Sequence, residues 1–546
     1  MINIIPQTEI RLLKVPLEKE GNHTLSFNNI NNQLAYFLSK TIKTYSDFTY
    51  QRESASLVVG DPFDTINTCN YLMYRNNGFS NKYFYAYITK MEYISENSTR
   101  IYFEIDSLQT WYFNINYKEC FVEREHVNND TIGLHTVPEN LETGEYINGE
   151  ASVSTNVGSD ISICVATSKH IDKNKNVSTP NGKLVNNIFQ GLDFAIFSDY
   201  PSYSGIKKKE TAVYQYMYYF EHTTGASADD IIDIFMIPTS IIGNNYTEDT
   251  YRYSDDTLPF KVKFLTDTTS EVMLENYLMS DSYRLAGNYQ PVNNKLLTFP
   301  FRYILASNGT GQDVIYKWED FTHSGNNISF KTYGDLTPNC SMKCIPQNYK
   351  GITNNYEEAI NYSKYPTCSW IYDAYTNWMT QNNVNSAIRT ASGLVKIGTS
   401  IAGMSSGNAG SSSNLGSGAK EIFNVAMEQY QHQFDPNQAR GNISCGDINF
   451  TMTKNNIQFY KMSIKPEYAR IIDSILSMYG YKVSIVKVPN ITGRANWNYV
   501  KTIGCNFTGN IPQEDIEKIR NLFNNGITFW HNEQNFLNYS DSNGII

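Results

Sequence analysis

The sequence is short of charge. Only 18% of its 546 residues are Asp, Glu, Lys or Arg, and the net charge is −10. No acidic or basic tail collects that charge, which argues against nonspecific nucleic-acid binding through a basic surface. Cysteine is also sparse: of eight, only Cys340 and Cys344 lie close together, and no second pair matches them. This argues against a zinc ribbon and a disulfide scaffold, leaving buried, reduced thiols as the expectation. The opening MINIIPQTEIRLLKVPLEKE has no apolar core, so neither a signal peptide nor a membrane anchor is expected there. No Walker lysine follows a glycine loop, because Gly416-Ser417-Gly418-Ala419-Lys420 has the wrong spacing. H-E-x-x-H and G-x-S-x-G are absent as well. The chain is therefore not read as an enzyme, and no catalytic residue, metal or cofactor is assigned.

Weaker constellations have plainer readings. Glu104 and Asp106 fall on one face of a strand, yet two carboxylates without a cleft are more often a solvated or interface face. Glu123, Glu125 and His126 could approach a metal, but such clusters are usually ion-pair networks. Cys445 and His432 would suit a wall-degrading peptidase only with a motif that holds base beside thiol, and none surrounds them. The clusters Tyr83–Tyr87 and Tyr214–Phe220 could stack on glycan, although most such aromatics are core or interface.

What the chain has in abundance is Tyr (41) and Phe (28), which favour extended structure over helix bundles. Against that background Thr390–Ala419 stands apart. It reads TASGLVKIGTSIAGMSSGNAGSSSNLGSGA, with Lys396 as its one charge and no aromatic, proline or cysteine. Its aliphatics are Leu394, Val395, Ile397, Ile401, Met404 and Leu415. Gly and Ser lose much entropy on ordering and bury little, so in water this is a flexible linker. In lipid, small residues let backbones approach closely, and Gly398/Ala402 and Gly403/Gly407 have the small-x-x-x-small spacing. As a helix, about 30 residues would reach roughly 45 Å, enough to cross a hydrocarbon layer of about 30 Å. The apolar run is broken, however, and its serines would need partners.

The remaining pattern is β-rich. Residues 1 to about 60 read as short strands and polar turns, including Ser56–Val59. Residues 81–93 and 99–105 read as a hairpin turning at SENS. Strands are expected at 161–167 and 212–220, and a short helix at 227–238. KVKFL, KLLTFPFRYIL, DVIYKW and ISFKTY alternate as in a second β-rich domain. Helical spacing over 369–392 and again over 421–433 brackets the small-residue loop. The last hundred residues read β-α-β-β-α-β: strand 457–464, a helix from Pro466 to Gly480, strands 481–488 and 497–505, a helix from Pro512 to Gly526, and strand 526–531. That order suits a ferredoxin-like split unit. Ile471, Ile472, Ile475, Leu476 and Tyr479 form the expected apolar face of its first helix.

Two blocks carry a more specific signal. The first holds Phe103-Glu104-Ile105-Asp106, Leu108-Gln109-Thr110-Trp111 and Arg124-Glu125-His126-Val127. The second holds Tyr479-Gly480-Tyr481-Lys482, Trp497-Asn498-Tyr499-Val500 and Asn525-Gly526-Ile527-Thr528, followed by Trp530-His531. Together they resemble the tail-knob, or distal tail-tube, proteins of small short-tailed phages of Gram-positive hosts. The signature positions are Glu104, Asp106, Trp111, Arg124, His126, Trp497, Gly526 and Trp530. The resemblance implies an α+β, β-rich, multi-domain tail-tube subunit. It would have β-barrel-like domains, a ferredoxin-like C-terminal part and a long Gly/Ser/Ala loop between two helices. Its parts would be an N-terminal tube domain (1–127), an inserted surface domain (128–260), a second β-rich domain (261–368), the helix–loop–helix (369–440) and the C-terminal tube part (441–546). The resemblance further implies a homohexameric ring among other tail proteins at the distal end of the virion tail. Phage DNA would pass through its lumen without specific binding. The loops would plug that lumen and later enter the host cell membrane. The competing expectations are a tail adhesin binding wall glycan through Tyr-rich loops and a cell-wall hydrolase.

Overall fold

The computed structural model describes residues 8–48, 55–76, 81–153, 160–180, 182–185, 188–255, 257–267, 272–309, 311–334, 341–364, 370–371, 439–440 and 457–546. They fall into two compact units. The first gathers 1–145, 289–301 and 464–546, and the second holds 146–288 and 302–463.

The first unit contains a six-stranded antiparallel sheet. Its spatial order is Thr41–Phe48, Thr8–Leu13, Tyr71–Asn76, Tyr83–Ser95, Ser98–Ile105 and Ser56–Val59. The expected hairpin is there, closing at Ser95 opposite Ser98. A helix, Ile30–Ser39, interrupts the region read as strands alone. Asn29 caps it by accepting the Asn32 N–H at 2.9 Å. Its buried Tyr36 and Phe37 pack with Leu13, Tyr71, Trp497 and Trp530.

The second sheet of this unit revises the ferredoxin-like expectation. Both C-terminal helices and all four strands exist close to the expected bounds: Gln458–Ile464, Pro466–Tyr479, Tyr481–Lys487, Trp497–Ile503, Gln513–Asn525 and Ile527–Trp530. They do not make one split unit. The sheet order is His23–Leu25, Ile527–Trp530, Trp497–Ile503, Cys120–Glu125 and Tyr481–Lys487. Cys120–Glu125 pairs with two of the C-terminal strands, while Gln458–Ile464 joins a sheet of the second unit. Local periodicity gives a strand its two faces but not its neighbour, and here the neighbour comes from more than 350 residues away.

Helix faces also shifted. In Pro466–Tyr479 the buried positions are Ala469, Ile472, Asp473 and Leu476, whereas Ile471 is 59% exposed and Tyr479 42%. The buried acid Asp473 tips that face: its carboxylate accepts the N–H groups of Val292 and Asn293, the Asn293 amide and the Tyr289 hydroxyl. In Gln513–Asn525, Ile519 and Phe523 are fully buried, with Ile516 and Leu522 half-buried.

Among its described residues the second unit has three larger sheets. One runs Ile231–Pro238, Ile161–Thr167, Asp193–Phe197, Phe260–Leu265 and Tyr246–Tyr251. The strand expected at 161–167 is present and wholly buried. Two neighbouring expectations were exchanged. Residues 212–220 lie in a helix, Lys209–Glu221, and 227–238 give the edge strand Ile231–Pro238. Tyr, Val and Phe favour strands, but Ala212, Tyr216, Tyr219 and Phe220 recur at helical spacing and fill the core against this sheet. In the strand, the β-branched isoleucines and Phe235 outweigh the helix reading, and the donor-less Pro238 falls at its end. The other two sheets are Tyr146–Val153, Gln458–Ile464, Arg302–Ser307, Asp313–Tyr316, and Val272–Ser280, Asn327–Gly334, Ser341–Tyr349, Ile352–Asn354, with Ile360–Lys364 also on Ser341–Tyr349. Among the described residues each sheet is an open path of strands.

The two helices expected around the loop, and Leu394, Val395, Ile397, Ile401, Met404 and Leu415, lie outside the described residues, as do Cys445 and His432. What is described is the place where that stretch begins and ends: Trp370–Ile371 pairs antiparallel with Ala439–Arg440. No helix among the described residues is long and apolar enough to cross a membrane.

Candidate functional site

All eight signature residues lie in the first unit, where they tie segments distant in sequence into one body. Glu104 and Asp106 do not share a face. The strand ends at Ile105, and Asp106 caps the helix Ser107–Trp111 by accepting the Gln109 N–H at 3.0 Å. Asp106 is buried and also accepts the Tyr71 hydroxyl at 3.0 Å. Burial pushes its carboxyl above the usual value, against those hydrogen bonds. Glu104 sits at the surface between Lys19 at 2.6 Å and Lys518 at 3.4 Å. The Lys19 hydrogen bond leads the forces that lower its pKa.

Trp111 meets a partner with no sequence signal. Its Nε1–H donates to buried Asp515 at 2.9 Å, and Asp515 also accepts Ser107 at 2.8 Å. Lys82 lies 3.4 Å from the centre of the Trp111 ring and donates to Asn114. Burial lowers the Lys82 amine to about 8. Gln109, fully buried, donates to Thr24 and to the Leu25 carbonyl and accepts from Gln33. One five-residue helix therefore links the start, the hairpin and the end of the chain.

Arg124 is the second node. It donates to the Gly480 carbonyl at 2.7 Å and pairs with Glu139. Glu139 also pairs with Lys295 and accepts the Lys482 N–H at 2.9 Å. The Glu139 side chain is 1% exposed and that of Lys295 3%. Burial lowers the Lys295 amine. Glu123 and Glu125 pair with Lys501 and Lys487, so the acidic cluster is an ion-pair network. His126 is not part of it. Its Nδ1 accepts the Tyr499 N–H at 2.7 Å, and Nε2 then donates to the Ser477 carbonyl at 3.0 Å. Trp497 donates to the same carbonyl and packs its ring 5.2 Å from that of Trp530. Gly526 has φ 92°, and a Cβ there would stand 2.0 Å from the Tyr499 hydroxyl. The Tyr83–Tyr87 and Tyr214–Phe220 clusters are largely core, with Tyr85, Tyr214, Tyr216, Tyr219 and Phe220 buried.

Sequence reasoning missed Asp515, Glu139, Lys295 and Asp473. A polar atom on Trp111 and a cation at Arg124 required partners, but nothing local named them.

Burial lowers the pKa of three histidines in this unit, His23, His126 and His531, and takes His126 to about 3. Arg494 and Arg124 add to the effect at His126. Below about pH 6.5 the unfolded chain binds protons that the folded unit does not. Their contribution to stability is complete above that pH and is lost as pH falls toward about 3. The urea midpoint of the unit should therefore drop between about pH 7 and about pH 4.5. Histidine Cε1–H resonances that titrate near the ordinary value would contradict this.

Comparison with known proteins fits this geometry. Residues 260–544 match the family described as Bacillus phage phi29, Tail knob protein gp9, C-terminal domain, and this is more than half of the chain. The chain belongs to this tail knob family. Residues 6–116 match the Caudoviral major tail protein N-terminus. Tail knob protein gp9 of Bacillus phage B103 is 25% identical, with 96% of each chain covered. The protein of the same name from Bacillus phage phi29 is also 25% identical, with 98% of each covered. The bacteriophage C1 tail knob protein, gp12, shares the fold with a TM-score of 0.65 at 16% identity, covering 99% of this chain and 100% of that one. This tail knob protein is a structural protein of the phage virion, located at the distal end of the tail. Arg124 and His126 lie between the two matched ranges, while Trp497, Gly526 and Trp530 fall in the C-terminal match and Glu104, Asp106 and Trp111 in the N-terminal one.

Proposed function

We propose that copies of this protein close into a homohexameric ring forming the distal tail tube, and that phage DNA leaves through its lumen without specific binding. The ribbon 393–418 of each copy plugs the lumen in the stored particle and enters the host cell membrane during infection. In this reading 1–127, 261–368 and 441–546 build the wall beside other tail proteins, and 128–260 is an inserted surface domain.

The observation that carries the reading is a division of labour along the chain. The described residues of the matched ranges fold into hydrogen-bonded, β-rich units. Between Ile371 and Ala439, which pair with each other, runs a stretch whose central thirty residues hold one charge and no aromatic. One such ribbon cannot cross lipid, because its serines lack partners. Several together turn serines to a wet lumen and Leu394, Val395, Ile397, Ile401, Met404 and Leu415 to the acyl chains. Each aliphatic then contributes about 1.5–3 kcal/mol on burial. A charge of −10 on every copy makes the assembly acidic, which keeps DNA mobile within it. Negative-stain micrographs of the purified protein should show six-fold rings with a central hole. A monodisperse monomer at micromolar concentration would end this reading.

A further inference from the structure

In the second unit, two lysines and three tyrosines alternate along one rim of the sheet that ends with Phe260–Leu265 and Tyr246–Tyr251. Lys263 Nζ lies 4.6 Å from the centre of the Tyr246 ring and 5.7 Å from that of Tyr200. Lys261 Nζ lies 5.4 Å from Tyr200 and 5.2 Å from Tyr203. The order is ring, cation, ring, cation, ring. The strands fix it from below, because Lys261 and Lys263 alternate with buried Phe260, Val262 and Phe264 and so project from the opposite face. The loop 199–208 fixes it from above. Gly205 lies so close to Pro259 that a Cβ would stand 2.0 Å from its carbonyl oxygen, and the Ile206 N–H donates to that oxygen at 2.7 Å.

The charge balance of this rim runs against that of the chain. Lys261 is paired with Glu248, but no carboxylate among the described residues pairs with Lys263. The loop adds the exposed Lys207 and Lys208, with the Tyr200 N–H bonded to the Lys207 carbonyl at 2.9 Å. Asp199 is taken up by Lys209. Lys207, Lys208, Lys261 and Lys263 therefore stand along this rim with Glu248, the partner of Lys261, as the acid left beside them, in a protein of net charge −10. Ammonium groups already ordered over ring faces lose little further freedom on meeting an anion.

We infer that this rim is a binding site for a phosphodiester polymer without bases, that is, a polyol-phosphate chain, with successive phosphates meeting Lys263 and Lys207/Lys208. The rings decide against nucleic acid. Single-stranded DNA gains its affinity from bases stacked on open aromatic faces, and here ring faces are already covered by lysine. A flexible polyol spacer needs no such face and can follow the rim from cation to cation.

The test uses the full chain and synthetic poly(glycerol phosphate), with binding followed by interferometry. Wild type should bind, with affinity falling about tenfold between roughly 50 and 200 mM salt if two phosphates are neutralised. Lys261→Gln/Lys263→Gln should weaken binding about tenfold or more at low salt, while Lys261→Arg/Lys263→Arg retains it, since a phosphate contact needs the cation. The melting temperature serves as control, because a purely structural ladder would shift melting without touching affinity. If the glutamine pair fails to fold, the exposed pair Lys207→Gln/Lys208→Gln decides, with several-fold weaker binding expected. Unchanged affinity in the variants overturns the inference. So does equal binding to a single-stranded oligonucleotide of the same phosphate number, or to vesicles of anionic phospholipid.

Discussion

Deletion of residues 393–418 will leave the ring intact and abolish dye release from liposomes. The two outcomes separate because the deleted stretch holds none of the residues that tie the first unit together. The eight signature residues, and the ion pairs and caps around them, lie within 1–145, 289–301 and 464–546. The deletion falls inside the stretch between Ile371 and Ala439, and that pair of short strands remains to close the shortened loop. A shorter loop costs little, since closure entropy changes slowly with length. What is lost is Leu394, Val395, Ile397, Ile401, Met404 and Leu415, the aliphatics that would partition into lipid. Release should fall to the level of a protein-free control. Vesicles that still leak would move the membrane activity elsewhere in the chain.

Glu139→Gln should be among the most destabilising single substitutions in the first unit, costing about 3–5 kcal/mol. Glu139 is the one carboxylate paired with both Arg124 and Lys295 among the described ion pairs, and it also accepts the Lys482 N–H. A neutral amide keeps the shape and leaves two largely buried cations without their counter-charge. Lys295 is already pushed toward its neutral form by burial, and loss of Glu139 removes the main force holding it protonated. The double variant Glu139→Gln/Lys295→Met should recover part of the loss, because replacing both partners spares a buried charge. Urea unfolding of both variants measures this. A loss below about 1 kcal/mol for the single variant would mean that water reaches the pair.

The C-terminal elements were legible because each carries its own punctuation. Pro466 opens a helix and Gly480 closes it at φ 64°, where a Cβ would stand 2.2 Å from the Glu125 carbonyl oxygen. Residues 95–98 likewise gave the hairpin its turn. Lys209–Glu221 was not legible. A segment buried nearly all round loses the polar face that distinguishes a helix from a strand, and its tyrosines then weigh toward the wrong answer. The role of Asp106 was misread for a similar reason. Strand alternation carried past Ile105 puts it beside Glu104, whereas the chain turns there and spends the carboxylate on a cap.

By itself, the amino-acid order determined most element boundaries in the last hundred residues, the family and the location of the small-residue ribbon. These depend on neighbours a few positions apart and on motifs that are contiguous. Only the tertiary structure decided that Cys120–Glu125 lies between Trp497–Ile503 and Tyr481–Lys487, that Asp515 answers Trp111, and that Glu139 serves two cations. Strand faces and unpaired polar groups announce that a partner is required. Which one is found depends on packing among residues hundreds of positions apart, and short-range periodicity does not encode it.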